Sequence, residues 1–386
     1  MKATFFIEKI FTFTNIQIED MSEKIKNIIN IIETYAPVSY QESYDNAGLT
    51  IGDANATVES VLVCIDITEA IIDEAIAKGA GLIISHHPLI FSGIKKITGA
   101  NYVERCIIKA IQHSIAIYSA HTNLDAVLNG VNAKIAEKIG LLNLHCLQPL
   151  AGDLLKLVTY VPETHASNVQ SKLFEAGAGN IGNYESCSFN VKGEGTFKGN
   201  ENSNPFVGEK GKLHHEAEIM IETILPKHLK NKVIEALLKA HPYEEVAYDI
   251  YQLENTNPQV GIGLVGELPE DISETLFLEK IKTIFNVKCL RHTALLGKSI
   301  KRIAVCGGSG SSFLKQAIRN NADVFISGDF KYHEFFNAEN KIVIADIGHY
   351  ESEFFTKELF YDILTKKNSN FAVHLTDINT NPIKYL

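Results

Sequence analysis

One arrangement recurs in this chain and limits its fold more than any other. A short apolar run, VLVCI at 61–65 or RIAVC at 302–306, opens a series of apolar runs and helical stretches that ends in a histidine with a carboxylate four residues later. The pairs are His121 with Asp125 and His349 with Glu353, and in both copies a serine (Ser85, Ser327) lies 21 positions after a cysteine (Cys64, Cys306). Apolar strands that alternate with helices specify βαβ units on a largely parallel sheet. The expected order is a strand at 61–65, helix near 69–78, LIIS, helix near 102–113 and IAIYS; then RIAVC, helix around 313–320, VFIS, helix near 333 and IVIAD. A duplicated scaffold that carries His and carboxylate residues to equivalent places is suited to one metal site shared between two halves.

Between the copies the pattern changes. Strands are expected at 155–161, 184–191, 216–223 and 246–253, with helices at 165–176 and 227–240. That βαββαβ order belongs to a split βαβ, or ferredoxin-like, module. Residues 192–212, rich in Gly, Asn and Lys, read as an exposed loop or extended hairpin. The expected fold is therefore α/β, with a first half of a metal-binding domain at 22–150, an inserted module at 151–290 and the second half at 291–386. Residues 1–21 read as an extension, or as the result of a start codon placed upstream of Met21, after which Ile25, Ile28, Ile29 and Ile32 share one helical face.

Size and charge narrow the function classes. At 386 residues the chain exceeds one typical core. Forty-six acidic against thirty-six basic residues give a net charge of −10, which argues against broad binding to nucleic acid or an anionic membrane. No stretch approaches the roughly 18 apolar residues of a membrane span, and the leading segment lacks the marks of a signal peptide. Six cysteines without a CxxC pair suggest neither a thiolate zinc knuckle nor a disulfide framework, and point to a reducing cytoplasm. Cys64 and Cys306 read as buried core.

Several residues are candidates for chemistry. His86-His87-Pro88 follows a strand at the end where such sheets bind ligands. Adjacent side chains on extended backbone point to opposite sides, so the two imidazoles suit different metals; a hydrogen-bonded turn is the plainer alternative. If the chain turns helical at His121 and His349, each pair shares one face. Single pairs of this kind decorate solvated helices, but two at matching places beside His86 and His87 favour a site. Imidazole and carboxylate without thiolate suit Zn, Fe, Mn or Ni. Glu353 or Asp125 is placed to bridge two ions roughly 3.5–4 Å apart, and His121 to orient a ligand, act as general acid or base, or serve structure. Gly308, Ser309 and Gly310, between a strand and a helix, could cradle a phosphate, with Lys331 and His333 adding charge, although the loop is not a Walker A motif.

Tyr44-Asp45-Asn46-Ala47-Gly48-Leu49, Ser85-His86-His87-Pro88-Leu89, His121-Thr122-Asn123-Leu124-Asp125, Cys306-Gly307-Gly308-Ser309-Gly310, Ser327-Gly328-Asp329 and Gly348-His349-Tyr350-Glu351-Ser352-Glu353 together resemble the dinuclear-metal-centre family. Its members are labelled GTP cyclohydrolase 1 type 2 homologs, or NIF-three-like proteins. His241-Pro242-Tyr243-Glu244-Glu245 with Asp249-Ile250-Tyr251 is similar to the PII/CutA-like module that long bacterial members insert.

The resemblance implies two divalent transition metals per chain, held by His86, His87, Asp125, His349 and Glu353. It gives Glu353 as the bridge, His87 and Asp125 on one ion, and His86 and His349 on the other. It also implies a toroidal homohexamer capped by the inserted modules, and a hydrolase acting on a nucleotide or phosphoester through metal-activated water, as in opening the guanine ring of GTP. The competing class is a metal-handling or regulatory ring whose central module senses a small ligand.

Overall fold

The computed structural model describes residues 22–366 and 370–386; the expected extension at 1–21 lies outside the described residues. Three sheets of four or more strands organise the chain. In the first, Ala372–Leu375, Ser60–Cys64, Leu82–Ser85 and Ala116–Ser119 run parallel, and Gly48–Ile51 closes the edge antiparallel. The three central strands of this set are buried at every position, as parallel strands covered on both faces must be.

Helices Glu69–Lys78 and Tyr102–Gln112 cover one face, where Ile71, Ile72 and Ile107 pack on Leu62, Ile83 and Ile117. Their boundaries are written locally. The Thr68 hydroxyl accepts from the Ile71 N–H, Asn101 accepts from the Glu104 N–H, and Gly79 ends the first helix at φ 65°. The opposite face, Val61, Val63, Leu82 and Ile84, joins a larger core with Ile28 and Ile32 of helix Ile25–Tyr35 and with Ile303, Val305, Val324 and Ile326 of the second sheet. Alternate residues of one strand thus serve two different cores.

The second sheet has the order Arg291–His292, Val343–Asp346, Val324–Gly328, Ser299–Ser309, Thr256–Ser273, Leu142–Ala151, with parallel pairing among Val343–Asp346, Val324–Gly328 and Ser299–Ser309. Three of its strands were not expected: Leu142–Ala151, Thr256–Ser273 and the short Arg291–His292. Leu142–Ala151 and Thr256–Ser273 pair with each other across the 151 boundary read from the pattern, Thr256–Ser273 pairs with Ser299–Ser309 across the 290 boundary, and Ala372–Leu375 crosses to the first sheet. The third sheet is antiparallel, in the order Tyr248–Gln252, Leu154–Pro162, His214–Pro226, Ser188–Phe197. Helices Ala166–Glu175 and Lys230–Ala240 bury Val169, Leu173, Val233 and Leu237 against its Leu157, Val161, Ile221 and Leu225. The strand expected at 184–191 begins at Ser188 and runs to Phe197, into the segment read as an exposed loop or extended hairpin, and it pairs antiparallel with His214–Pro226 as the hairpin reading has it. No helix among the described residues is long and apolar enough to cross a membrane.

Candidate metal centre

The carboxyl ends of the parallel strands supply the centre. His86 and His87 follow Leu82–Ser85 where the strand ends and the backbone bends, the His86 N–H donating to the Cys64 carbonyl and the His87 N–H to the Ile65 carbonyl. His121 precedes helix Thr122–Ala126, which brings Asp125 back beside it, and His349 opens helix His349–Glu353. Residues four apart then share a face.

The donor atoms gather into two groups that share Glu353. In one, the His86 Nε2 lies 3.7 Å from the Asp125 Oδ1 and 3.5 Å from the Glu353 Oε1. In the other, the Glu353 Oε2 lies 3.0 Å from the His87 Nε2 and 3.2 Å from the His349 Nε2, and the two nitrogens are 3.2 Å apart. Donors that each sit about 2.0–2.2 Å from one ion are roughly 3–3.5 Å from one another, so both groups could hold a metal. The partition differs from the one the family resemblance implies. His86 groups with Asp125, and His87 with His349.

Three buried atoms in these groups, His86 Nε2, Asp125 Oδ1 and Glu353 Oε2, have no hydrogen-bond partner. Buried polar atoms are ordinarily paired, and orphans are costly. His86 Nε2 and Asp125 Oδ1 in one group, and Glu353 Oε2 in the other, fit ligand atoms better than a hydrogen-bonded structural network.

Each imidazole is fixed from behind. The His86 Nδ1 lies 3.0 Å from the Ala120 carbonyl, an acceptor only, so that nitrogen carries the proton and Nε2 presents its lone pair. Carboxylates take the same place for the others: Asp66 on His87 at 2.7 Å, Asp329 on His349 at 2.7 Å, and Asp45 on His121 at 2.8 Å. Orienters of this kind set ring direction and raise ligand basicity. Thr122 donates to Asp45 through both its N–H, at 3.0 Å, and its hydroxyl, at 2.5 Å, and Thr380 donates to Asp66 at 2.6 Å.

Charge follows from this crowding. Burial opposes the charged form of Glu353, but His86, His349 and His87 hold its carboxyl well below the usual range. Asp125 goes the other way: burial raises it, the neighbouring Glu353 adds to that, and His86 only partly offsets both. Burial would lower His87 and His349, yet Asp66 and Glu353 push His87 up to about 10, and Glu353 and Asp329 push His349 up to about 9. Burial also raises the Cys306 thiol, and Asp125 and Glu353 raise it further.

A cavity of about 920 Å³ opens on the centre, with Tyr44, Phe91, His121, Ser309, Ser312 and Phe313 among its walls. His121 joins His86 and His87 in a third close group of ring nitrogens. The glycine turn behaves differently from a phosphate cradle. The N–H groups of Gly307, Gly308 and Gly310 donate to Asn132, Ser352 and Ser327, all at 2.9 Å, and are spent within the fold. Gly308 instead makes room: at φ 64°, a Cβ there would lie 2.4 Å from the Glu353 Oε1. Ser309 lines the cavity, whereas Gly310, Lys331 and His333 do not, and the last two are exposed. The carboxylates that orient the rings were missed as functional residues, although Asp45 and Asp329 sit inside quoted motifs and Asp66 directly follows VLVCI.

The chain matches the Duf34/NIF3 (NGG1p interacting factor 3) family over residues 23–382. It is 40% identical to a GTP cyclohydrolase 1 type 2 homolog of Halalkalibacterium halodurans over 366 residues, covering 94% of this chain and 98% of that protein. A protein of the same description from Bacillus subtilis is 37% identical over 94% of this chain and 98% of its own length. Among solved structures, a Bacillus cereus protein related to NIF3 superposes with a TM-score of 0.83 at 38% identity, covering 94% of this chain and 99% of that one. On these matches, and on the motifs that meet at the centre, the chain belongs to the Duf34/NIF3 family.

Proposed function

We propose that this protein is a dinuclear metal-dependent hydrolase acting on a nucleotide or phosphoester. Two divalent transition ions, of the Zn, Fe, Mn or Ni class, are assigned to the two donor groups, with His86 and Asp125 on one, His87 and His349 on the other, and Glu353 on both. The observation that carries this assignment is the convergence of His86 Nε2, Asp125 Oδ1 and Glu353 Oε2 without hydrogen-bond partners. When bound, such a pair of ions activates water at neutral pH and stabilises charge that develops on an attacked group.

The remaining roles fall to side chains. His121, held by Asp45 and facing the His86 and His87 rings at centroid distances of 5.3 Å, is placed to move a proton to or from substrate. Tyr44 and Phe91, with ring centroids 6.3 Å apart at the cavity wall, suit a planar base. Among the described residues the cavity lining contains neither Lys nor Arg, so a phosphate there would meet neutral donors such as the Ser309, Ser312 and Tyr44 hydroxyls and the Gln148 amide.

Homohexamer formation and a PII/CutA-like identity for the inserted sheet belong to the same proposal. The sheet order Tyr248–Gln252, Leu154–Pro162, His214–Pro226, Ser188–Phe197, with its two helices on one face, supports the ferredoxin-like reading. The deciding test compares wild type and Glu353→Gln on nucleotides and phosphoesters, following formate and phosphate release in metal-replete buffer. Turnover lost in the variant supports the assignment. Turnover that survives it, or none on any substrate, rejects the hydrolase.

A further inference from the structure

A second cavity, of about 950 Å³, lies far along the chain from the metal ligands, on the third sheet between strand Ser188–Phe197, residues 198–206 and the turn after His241. That volume suits a small organic ligand. Rings line it: Tyr243 stands 5.8 Å from Phe197 and 6.4 Å from Phe206 between centroids, at 62° and 50° to them. Carboxylates line it beside them. Glu194, Glu218, Glu244 and Glu245 line the cavity against a single Lys198.

Glu218 is held in place by two independent features. Its Oε1 accepts from the Tyr243 hydroxyl at 2.8 Å, and the paired strand carries Gly195 beneath it, where a Cβ would come 2.1 Å from the Oε2. Glu194 is engaged by His215 at 2.9 Å, but no basic side chain among the described residues forms an ion pair with Glu218, Glu244 or Glu245. Carboxylates without basic partners, set beside aromatic faces, attract an organic cation through charge and ring quadrupole together. The same charges repel a phosphate. We propose that this cavity binds an organic ammonium ligand, a quaternary or polyamine cation with an apolar body, at a site separate from the metal centre.

The test titrates the full chain with choline, with spermidine, with 3,3-dimethyl-1-butanol as the neutral isostere of choline, and with ATP, by calorimetry and ligand-observed NMR. At least one cation should bind more tightly than the alcohol, and Glu218→Gln and Phe197→Leu should each weaken it roughly tenfold. Tyr243→Phe, which keeps the ring and removes only the hydroxyl, serves as the milder variant if either of the others lowers the melting temperature. Neither cation binding more tightly than the alcohol, a preference for ATP, affinity unchanged in Glu218→Gln, or no cation binding up to about 10 mM would each overturn the proposal.

Discussion

The turn from His121 to Asp125 and the turn from His349 to Glu353 occupy similar places at the ends of parallel strands, yet they contribute unequally. Before the first, Ser85 leads into His86 and His87. Before the second, Ser327 leads into Gly328 and Asp329, and Asp329 does not face the centre as a ligand but holds His349 from behind. Gly328 is forced by space, since a Cβ there would lie 2.7 Å from the His349 nitrogen. The carboxylates differ by one methylene. Glu353 reaches His86, His87 and His349, whereas Asp125 is in range of His86 alone among these. Similar backbone therefore fixes where donors lie, and side-chain length fixes how many partners each one serves.

The largest consequence concerns the two carboxylates. Glu353→Ala should take the protein from about two bound ions per chain to nearly none, while Asp125→Ala should retain about one, as read by elemental analysis after dialysis. Equal loss in the two variants would break the asymmetry between the turns. Next come the groups behind the rings. Asp66→Asn and Asp329→Asn should each weaken metal binding in the His87 and His349 group by about 10–100-fold. Asp45→Asn should leave metal content intact and move the pH profile of turnover, because the imidazole that Asp45 holds is His121, which is in neither of the two groups assigned to the ions.

Protonation gives a smaller but sharper contrast. His87 and His349 are raised from an ordinary 6.5 to about 10 and about 9, so both carry protons at pH 7.5 that an ion must displace. Calorimetry in buffers of different ionisation heat should show proton release on metal binding, with apparent affinity rising towards pH 9. For the fold without metal the sign is opposite. Because these folded-state pKa values are raised, the stabilisation from the charged imidazoles is complete below about 6.5 and is lost as pH rises through about 9 to 10. Release of no protons would show that the carboxylate field does not hold these rings charged.

The smallest effect is steric. Gly308→Ala should cost about 1–3 kcal/mol in chemical denaturation and reduce metal content, because it adds strain at positive φ and a clash with Glu353. Gly297→Ala, at φ 70° with open space around it, should show only the backbone part and keep its metal. Identical behaviour of the two would remove the case for Gly308 as a spacer.

Much of this was legible in the chain. The helix expected at 69–78 and the strand LIIS are found at those residues, because Thr68, Gly79 and a continuous apolar run are local signals. Strand Thr256–Ser273 was not legible. It includes Pro258, Pro269 and three glycines and lacks a clear period, and its pairing with Leu142–Ala151 joins segments about a hundred residues apart. The glycine turn at 307–310 misled for a related reason: glycine signals either an exposed N–H cradle or a close approach, and only the neighbour decides which.

Residue type and spacing alone determined the alternating α/β pattern and the two His-to-carboxylate turns, because these depend on periodicity and on side-chain chemistry. Tertiary structure alone decided that His86 faces Asp125 while His87 faces His349, that Glu353 lies in both groups, and that Asp45, Asp66 and Asp329 fix the rings. These relations join residues between 20 and 267 positions apart, as in Asp329 with His349 and His86 with Glu353. They are set by where strand ends meet across two sheets, a matter of a few ångströms in direction that no local sequence period encodes.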